Sequence, residues 1–229
     1  MGTSNGVGPT DRAGGAVVVW RTRTGQVHRS AWALTTVCAG LFLALTLGVS
    51  TGWADTLDLR IAHHFRPTDA WWGDLQNTYS PWMSRLRPLH VMVLFAATVA
   101  GVCVLRRSWW PLAFGAALSV AGVAALRILQ LVLARPDPHG YLEPGGGSYP
   151  SGHMLAVIVF LGGALLVVMP RVRWWWWTAV LLPAALMAAS LVITVAHWPS
   201  DVLGGALLAA TVVLGASALP GRGGRRSKR

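Results

Sequence analysis

The chain has 229 residues, of which 54% are hydrophobic and only 12% charged, with mean hydropathy +0.51 and a formal net charge of +11. A soluble domain carries about a quarter charged residues, so this is a membrane composition and not that of a soluble enzyme. Nucleic-acid binding is a poor account of the charge, because the Arg residues gather at the ends of apolar runs and do not interleave with a folded soluble module.

Taken in order, residues 1–30 are rich in Gly, Thr and Arg and are expected to form a disordered basic tail. Its Ala16–Trp20 run is too short for the apolar core of a signal peptide. The stretch from Ala31 to Ser50 carries no charge and is long enough to cross a bilayer. Residues 51–87 differ: charges of both signs, Trp71, Trp72 and Trp82, and Pro67 and Pro81. Within them Leu57, Ile61, His64 and Phe65 share one helical face, which predicts a short helix lying at the membrane interface.

A second span is expected from Leu89 to Leu105, ending at Arg106-Arg107, and a third from Trp109 to Ala134, interrupted only by Arg127 and Gln130. A polar loop, 135–150, contains Gly145-Gly146-Gly147. The fourth span, 153–169, ends at Arg171 and Arg173, the fifth runs from Trp174 to Ala196, and the sixth from Asp201 to Leu219. Residues 220–229 form a second basic tail containing Lys228, the one lysine of the chain. The expected fold is therefore all-α and polytopic: six transmembrane helices in a membrane domain, 31–219, with a short interfacial helix between spans one and two. Cys38 and Cys103 fall inside apolar runs and read as buried free thiols.

In a six-span layout both tails, Arg106-Arg107 and Arg171/Arg173 share one side, which the positive-inside rule makes cytoplasmic. The Trp runs at 109–110 and 174–177 then sit as anchors in the cytoplasmic aromatic belt. Arg60, Arg66, Arg85 and Arg87 lie on the outer side and weaken the asymmetry without reversing it. The consequence is that Arg135, Ser151–His153 and His197–Asp201 all fall at the outer ends of spans three to six.

These residues have a common chemistry. Ser151-Gly152-His153 opens an apolar run, so first-turn amides without intrahelical partners, the helix dipole and a glycine make an anion cradle. Asp201, four residues after His197, can accept one ring N–H and leave the other nitrogen free to attack; the alternative is a helix-capping Asp beside an interfacial His. His153 adds an imidazole suited to protonating a leaving oxygen. Arg135 offers a fork of donors matched to phosphate. Together they read as phosphoryl transfer, with no carboxylate cluster to hold a metal and no cofactor implied.

Pro150-Ser151-Gly152-His153, Arg135-Pro136 and Ser190-x6-His197-x3-Asp201 resemble the motifs of the type 2 phosphatidic-acid phosphatase superfamily, integral-membrane branch. Its members carry Lys-x6-Arg-Pro, then Pro-Ser-Gly-His, then Ser-Arg-x5-His-x3-Asp. The resemblance implies a six-helix fold and metal-independent hydrolysis of a lipid phosphate or pyrophosphate through a phosphohistidine. His197 would be the nucleophile, Asp201 its orienting partner and His153 the general acid, while Arg135, Ser151 and Gly152 would bind phosphate. Two positions depart from the pattern. The family Lys falls at Ile128, with Arg127 one residue off: it either replaces that Lys or pairs within the bundle. The family Arg after Ser190 is Leu191, which leaves the clamp one guanidinium short. Gln130, Asp137, His139, Glu143 and Tyr149 are further candidates for the entrance.

The expectation is a lipid phosphatase of the cell membrane, with both termini cytoplasmic and its site facing outward. Isoprenoid pyrophosphate, phosphatidic acid and phosphatidylglycerophosphate fit equally. The expected partners are that lipid and the bilayer, and not nucleic acid. Rival readings are a non-catalytic protein of the same fold that binds or transports a lipid phosphate, and a haloperoxidase, which six spans make a poor fit.

Overall fold

The computed structural model describes residues 12–66, 73–85, 87–142, 144–169 and 172–219; the side chains of residues 12–29, 75, 80 and 82–85 lie outside that description. Eight α-helices are present among them: α1 Arg12–Ser50, α2 Asp55–Phe65, α3 Asp74–Arg85, α4 Pro88–Arg106, α5 Trp110–Leu133, α6 Gly152–Val168, α7 Thr178–Ile193 and α8 Pro199–Ala218. A short 3-10 turn, Trp174–Trp177, leads into α7, and the described residues contain no strand. Glu143, Arg171, Trp71, Trp72 and the tail 220–229 fall outside the described residues.

Each of the six expected spans is a helix. Five stretches are long and apolar enough to cross a bilayer: Ser30–Ser50, Pro88–Arg106, Trp110–Leu133, Trp174–Ile193 and Pro199–Ala218. The sixth, α6, is apolar but only 17 residues long. Helix α1 begins at Arg12, inside the stretch expected as a tail.

Local chemistry sets the ends. Pro88, Pro111 and Pro199 sit in the first turns of α4, α5 and α8, where a missing N–H costs nothing. Arg107 and Ala134 stop α4 and α5 in the left-handed conformation, φ 47 and 43, each returning its N–H to the last turn.

Helix α6 is hydrophobic on every side and mostly buried, as such a helix must be. It packs against α4, α5, α7 and α8, while α1 lies along α8. At Gly163 an added Cβ would come within 2.6 Å of Leu118 and 3.0 Å of Phe95, so the glycine sets how closely α6 meets its neighbours. Cys38 and Cys103 are free, as expected, but half-buried.

The segment 51–87 departs from expectation. It holds two helices where one was expected, and on α2 Leu57, at 63%, and His64 are exposed, on the face that an interfacial helix would turn to lipid. The deeply buried residue of α2 is Asp58, at 2%. A carboxylate takes that place because a guanidinium and a helix N-terminus await it there. Helix α3 lies against α7, where Gln76 Nε2 donates to the Ile193 carbonyl at 3.4 Å and Ser190 Oγ donates to the Tyr79 carbonyl at 3.0 Å.

Candidate active site

The first piece comes from the end of α5. Pro136 disfavours a helical Arg135, so the chain leaves the helix there. The glycine loop then folds back on it: Gly147 N–H donates to the Gln130 carbonyl at 2.8 Å and Ser148 N–H to the Arg135 carbonyl at 2.7 Å. A Cβ on Gly147 would stand 2.3 Å from the Arg135 nitrogen, so only glycine permits this approach.

The second piece is the start of α6. Ser151 N–H donates to the Asp201 carbonyl at 2.9 Å, and Ser151 C=O accepts the first intrahelical bond, from Leu155, at 3.2 Å. The amides of Gly152, His153 and Met154 precede that bond, so they are the orphan donors of this helix. On α8, a Cβ at Gly205 would meet the Ser151 carbonyl at 2.5 Å. The N-termini of α6 and α8 are therefore locked side by side. Ser151 Oγ is buried with no hydrogen-bond partner.

The third piece is the α7–α8 turn. Helix α7 ends at Ile193; Val195 takes φ 53, and the amides of Ala196 and His197 both return to the Leu191 carbonyl, at 3.0 and 3.4 Å. His197 thus stands in the turn between α7 and α8. Its Nδ1 lies 3.6 Å from Asp201 Oδ2, and neither atom has a hydrogen-bond partner. The His153 ring stands 5.8 Å from the His197 ring, at 70° to it. The structure brings Ser151, Gly152, His153, His197 and Asp201 together.

Arg135 joins them differently than expected. Nη1 donates to Ser200 Oγ at 2.7 Å and to Asp201 Oδ1 at 2.8 Å; Nη2 donates to Asp58 Oδ2 at 2.8 Å and to Asp55 Oδ1 at 3.0 Å. Its guanidinium also lies 5.4 Å from the Trp198 ring. Burial opposes the charge, but Asp58 and Asp201 outweigh it and raise the pKa above the usual arginine value. Both terminal nitrogens are thus committed to carboxylates. Asp55 and Asp58 were missed in the sequence; the available signal was scarcity, since two of only eight acidic residues stand three apart there.

Arg127 donates to Gln130 Oε1 at 3.1 Å and to the Gly145 carbonyl at 3.2 Å, and Gln130 Nε2 donates to the Pro150 carbonyl at 3.2 Å. Arg127 braces the loop; none of its hydrogen bonds reaches the two histidines. Arg87 stands at the N-cap position of α4 and makes no side-chain cap there. Leu191 is fully buried in the hydrophobic core.

The entrance candidates divide. Tyr149 is fully buried, its hydroxyl 2.8 Å from Thr46 Oγ1 of α1, and Gln130 is buried too, so neither lines an entrance. Asp137 caps its own loop by accepting the amides of His139 and Tyr141, both at 2.9 Å. His139 Nδ1 lies 2.6 Å from Arg66 Nη1, and burial together with the Arg66 charge lowers its pKa despite Asp137. A cavity of about 400 Å³ lies beside Arg135, lined by Asp55, Asp58, Asp137 and Trp198. A larger one, about 820 Å³, lies between α4 and α5 near Cys103 and Trp109, away from the histidines. Among the described residues no group of three or more His, Cys, Asp or Glu is arranged to hold a metal ion.

No protein-family model matches the chain, and no curated protein matches it. Among solved structures, the transmembrane PAP2-type phosphatidylglycerolphosphate phosphatase from Bacillus subtilis is similar, with TM-score 0.66 and 17% identity, covering 80% of this chain and 94% of that one. The fold is thus the polytopic helical fold of the membrane branch that the motifs resemble.

Proposed function

We propose, on that fold, that the protein hydrolyses a lipid phosphate or pyrophosphate at the outer membrane face through a phosphohistidine. The observation that carries the proposal is the convergence of His197, paired with a buried Asp201, on His153 and the orphan amides of α6.

His197 Nε2 attacks phosphorus while Asp201 Oδ2 faces the Nδ1–H and stabilises the imidazolium that forms. The phosphorus–oxygen bond to the lipid breaks, and His153 gives its proton to the leaving oxygen. Water then attacks the phosphohistidine with His153 taking its proton, which frees phosphate and returns His197 to its starting form. The amides at the start of α6 and the Ser151 hydroxyl face the charge that develops on the phosphoryl oxygens. Arg135 joins them by exchanging Asp55, whose side chain is 53% exposed, for a phosphate oxygen. Arg127 would have to release Gln130 and Gly145 to take part.

A six-span layout with both basic tails cytoplasmic would turn this site outward, a reading supported by Arg106, Arg107 and Arg173 at the opposite ends of the helices. In the cell membrane, an outward site would take an outer-leaflet substrate. Phosphatidylglycerophosphate, named for the structural neighbour's activity, is one candidate beside phosphatidic acid and isoprenoid pyrophosphate. A second reading, binding or transport without chemistry, is favoured by one observation: both terminal nitrogens of Arg135 are already taken.

Phosphate release from a panel of lipid phosphates, in detergent with excess chelator, tests the proposal. Turnover that survives chelation and is blocked by vanadate, which mimics the five-coordinate transition state, is the expected result. Bound lipid phosphate without release across the panel selects the second reading.

A further inference from the structure

We infer that Asp58, which lies outside every motif, is a positioning residue of this site: it holds Arg135 on Asp201 and anchors the first turn of α8, and through them aims His197. The inference rests on the phosphatase reading above.

At 2% exposure a carboxylate is tolerated only when its oxygens are paired, and those of Asp58 are. Oδ1 accepts the Ser200 backbone N–H at 2.9 Å. That amide belongs to the first turn of α8, whose own N-cap residue, Trp198, supplies no side-chain cap. Asp58 therefore caps α8 from a helix 142 positions earlier in the chain, with its negative charge at the positive end of the helix dipole. The protein ties a loop helix to the catalytic turn at this one residue.

The second oxygen closes a ring. Oδ2 accepts from the Ser200 hydroxyl and from Arg135 Nη2 at 2.8 Å, while Ser200 Oγ in turn accepts from Arg135 Nη1 at 2.7 Å. A guanidinium gripped at both terminal nitrogens has no rotational freedom left, and in this orientation Nη1 also reaches Asp201 Oδ1 at 2.8 Å. The remaining oxygen of Asp201 is the one that faces His197 Nδ1. Asp58 thus reaches the nucleophile through two residues, Arg135 and Asp201. Asp55 also touches Arg135, but its side chain is 53% exposed, so water can replace it.

A double-mutant cycle in the full-length, detergent-purified protein tests this role. Asp58→Asn, Arg135→Ala and the double variant are compared in kcat and KM on a hydrolysed lipid phosphate and in vanadate affinity. Asp58→Asn should lower kcat about tenfold to a hundredfold and weaken vanadate to a similar extent, with KM changed less than about threefold. In the Arg135→Ala background the same substitution should change either quantity by less than about twofold, because the link it acts through is gone. A merely structural role would give additive losses. If Asp58→Asn does not fold, Ser200→Ala cuts the same ring and goes through the same cycle. Wild-type kcat in the variant, or additive effects in the cycle, overturns the role of Asp58 alone. A wild type that neither turns over a lipid phosphate nor binds vanadate instead removes the phosphatase reading, and this role with it.

Discussion

Arg135 Nη1 and Asp201 Oδ1 stand 2.8 Å apart, with Asp201 fully buried and the Arg135 side chain 12% exposed. Sixty-six positions separate them in sequence, yet this ion pair fastens the loop after α5 to the first turn of α8. The charge proposed to meet a phosphate is therefore also a structural tie.

Arg135→Ala should cost both stability and activity. Removing one partner of a buried pair costs about 3–5 kcal/mol, because Asp58 and Asp201 would be left buried without a counter-charge. Thermal unfolding in detergent should show the loss, and kcat should fall at least about tenfold to a hundredfold. Arg135→Lys should restore little of either, since an ammonium cannot make the planar two-nitrogen grip. Asp55→Ala should behave in the opposite sense. Its pair with Arg135 is the solvent-exposed one, so stability should change by less than about 1 kcal/mol, while KM for a lipid phosphate falls as a competitor for Nη2 is removed.

His197→Ala should abolish turnover, and brief exposure of the wild type to labelled substrate should trap an acid-labile, base-stable phosphoenzyme. His153→Ala should slow formation of that intermediate, and less so for a substrate whose leaving group needs no proton. Rates on a natural lipid phosphate and on an activated aryl phosphate, compared in both variants, check this. Activity of His197→Ala at the wild-type level would exclude the proposed nucleophile.

Gly205→Ala should uncouple the two helix starts. The added Cβ would sit 2.5 Å from the Ser151 carbonyl and 3.2 Å from its nitrogen, and neither backbone atom can retreat without moving the start of α6. The expected result is a folded protein of lowered thermal stability whose vanadate affinity drops together with kcat. An alanine variant with wild-type vanadate binding would show that the α6–α8 contact does not shape the cradle.

Leu191→Arg should not supply the absent motif guanidinium. Leu191 is fully buried, and its carbonyl holds the amides of Ala196 and His197, so the substitution puts an unpaired charge into the core beside the catalytic turn. Loss of folded protein in size-exclusion chromatography is expected. Leu191→Met, which nearly conserves volume, should cost less than about 1.5 kcal/mol and leave turnover intact.

The sidedness of the site can be read with thiol chemistry. In a background lacking Cys38 and Cys103, a single Cys at Gly140 should react with an impermeant reagent on intact cells, whereas one at Ser227 should react only after lysis. The reverse pattern would turn the site toward the cytoplasm.

The helices and the residues of the candidate site were legible in the sequence because both are local. Charge-free runs such as 31–50 have to be helical in a bilayer, since no water is there to satisfy the backbone, and Pro88, Pro111 and Pro199 mark where helices begin. Ser151-Gly152-His153 and His197–Asp201 were visible for the same reason: each group lies within five residues, so its chemistry is written in adjacent side chains. The geometry of the second group was not, because the turn that places His197 depends on amides returning to Leu191.

What tertiary structure alone decided is which partner each charged group takes. Periodicity marked Leu57 on the apolar face of α2 and gave no sign that Asp58 is buried, where pairing with Arg135 and the α8 amide outweighs the cost of desolvating a carboxylate. Arg127 and Leu191, the two departures from the motif pattern, take their partners in the same way. Arg127 binds a loop carbonyl that becomes its neighbour only when the glycine turn folds back, and Leu191 is walled in by helices remote in sequence. Hydropathy measures what a residue would lose by leaving water, and it contains nothing about the opposite charge that waits at the other end of the chain.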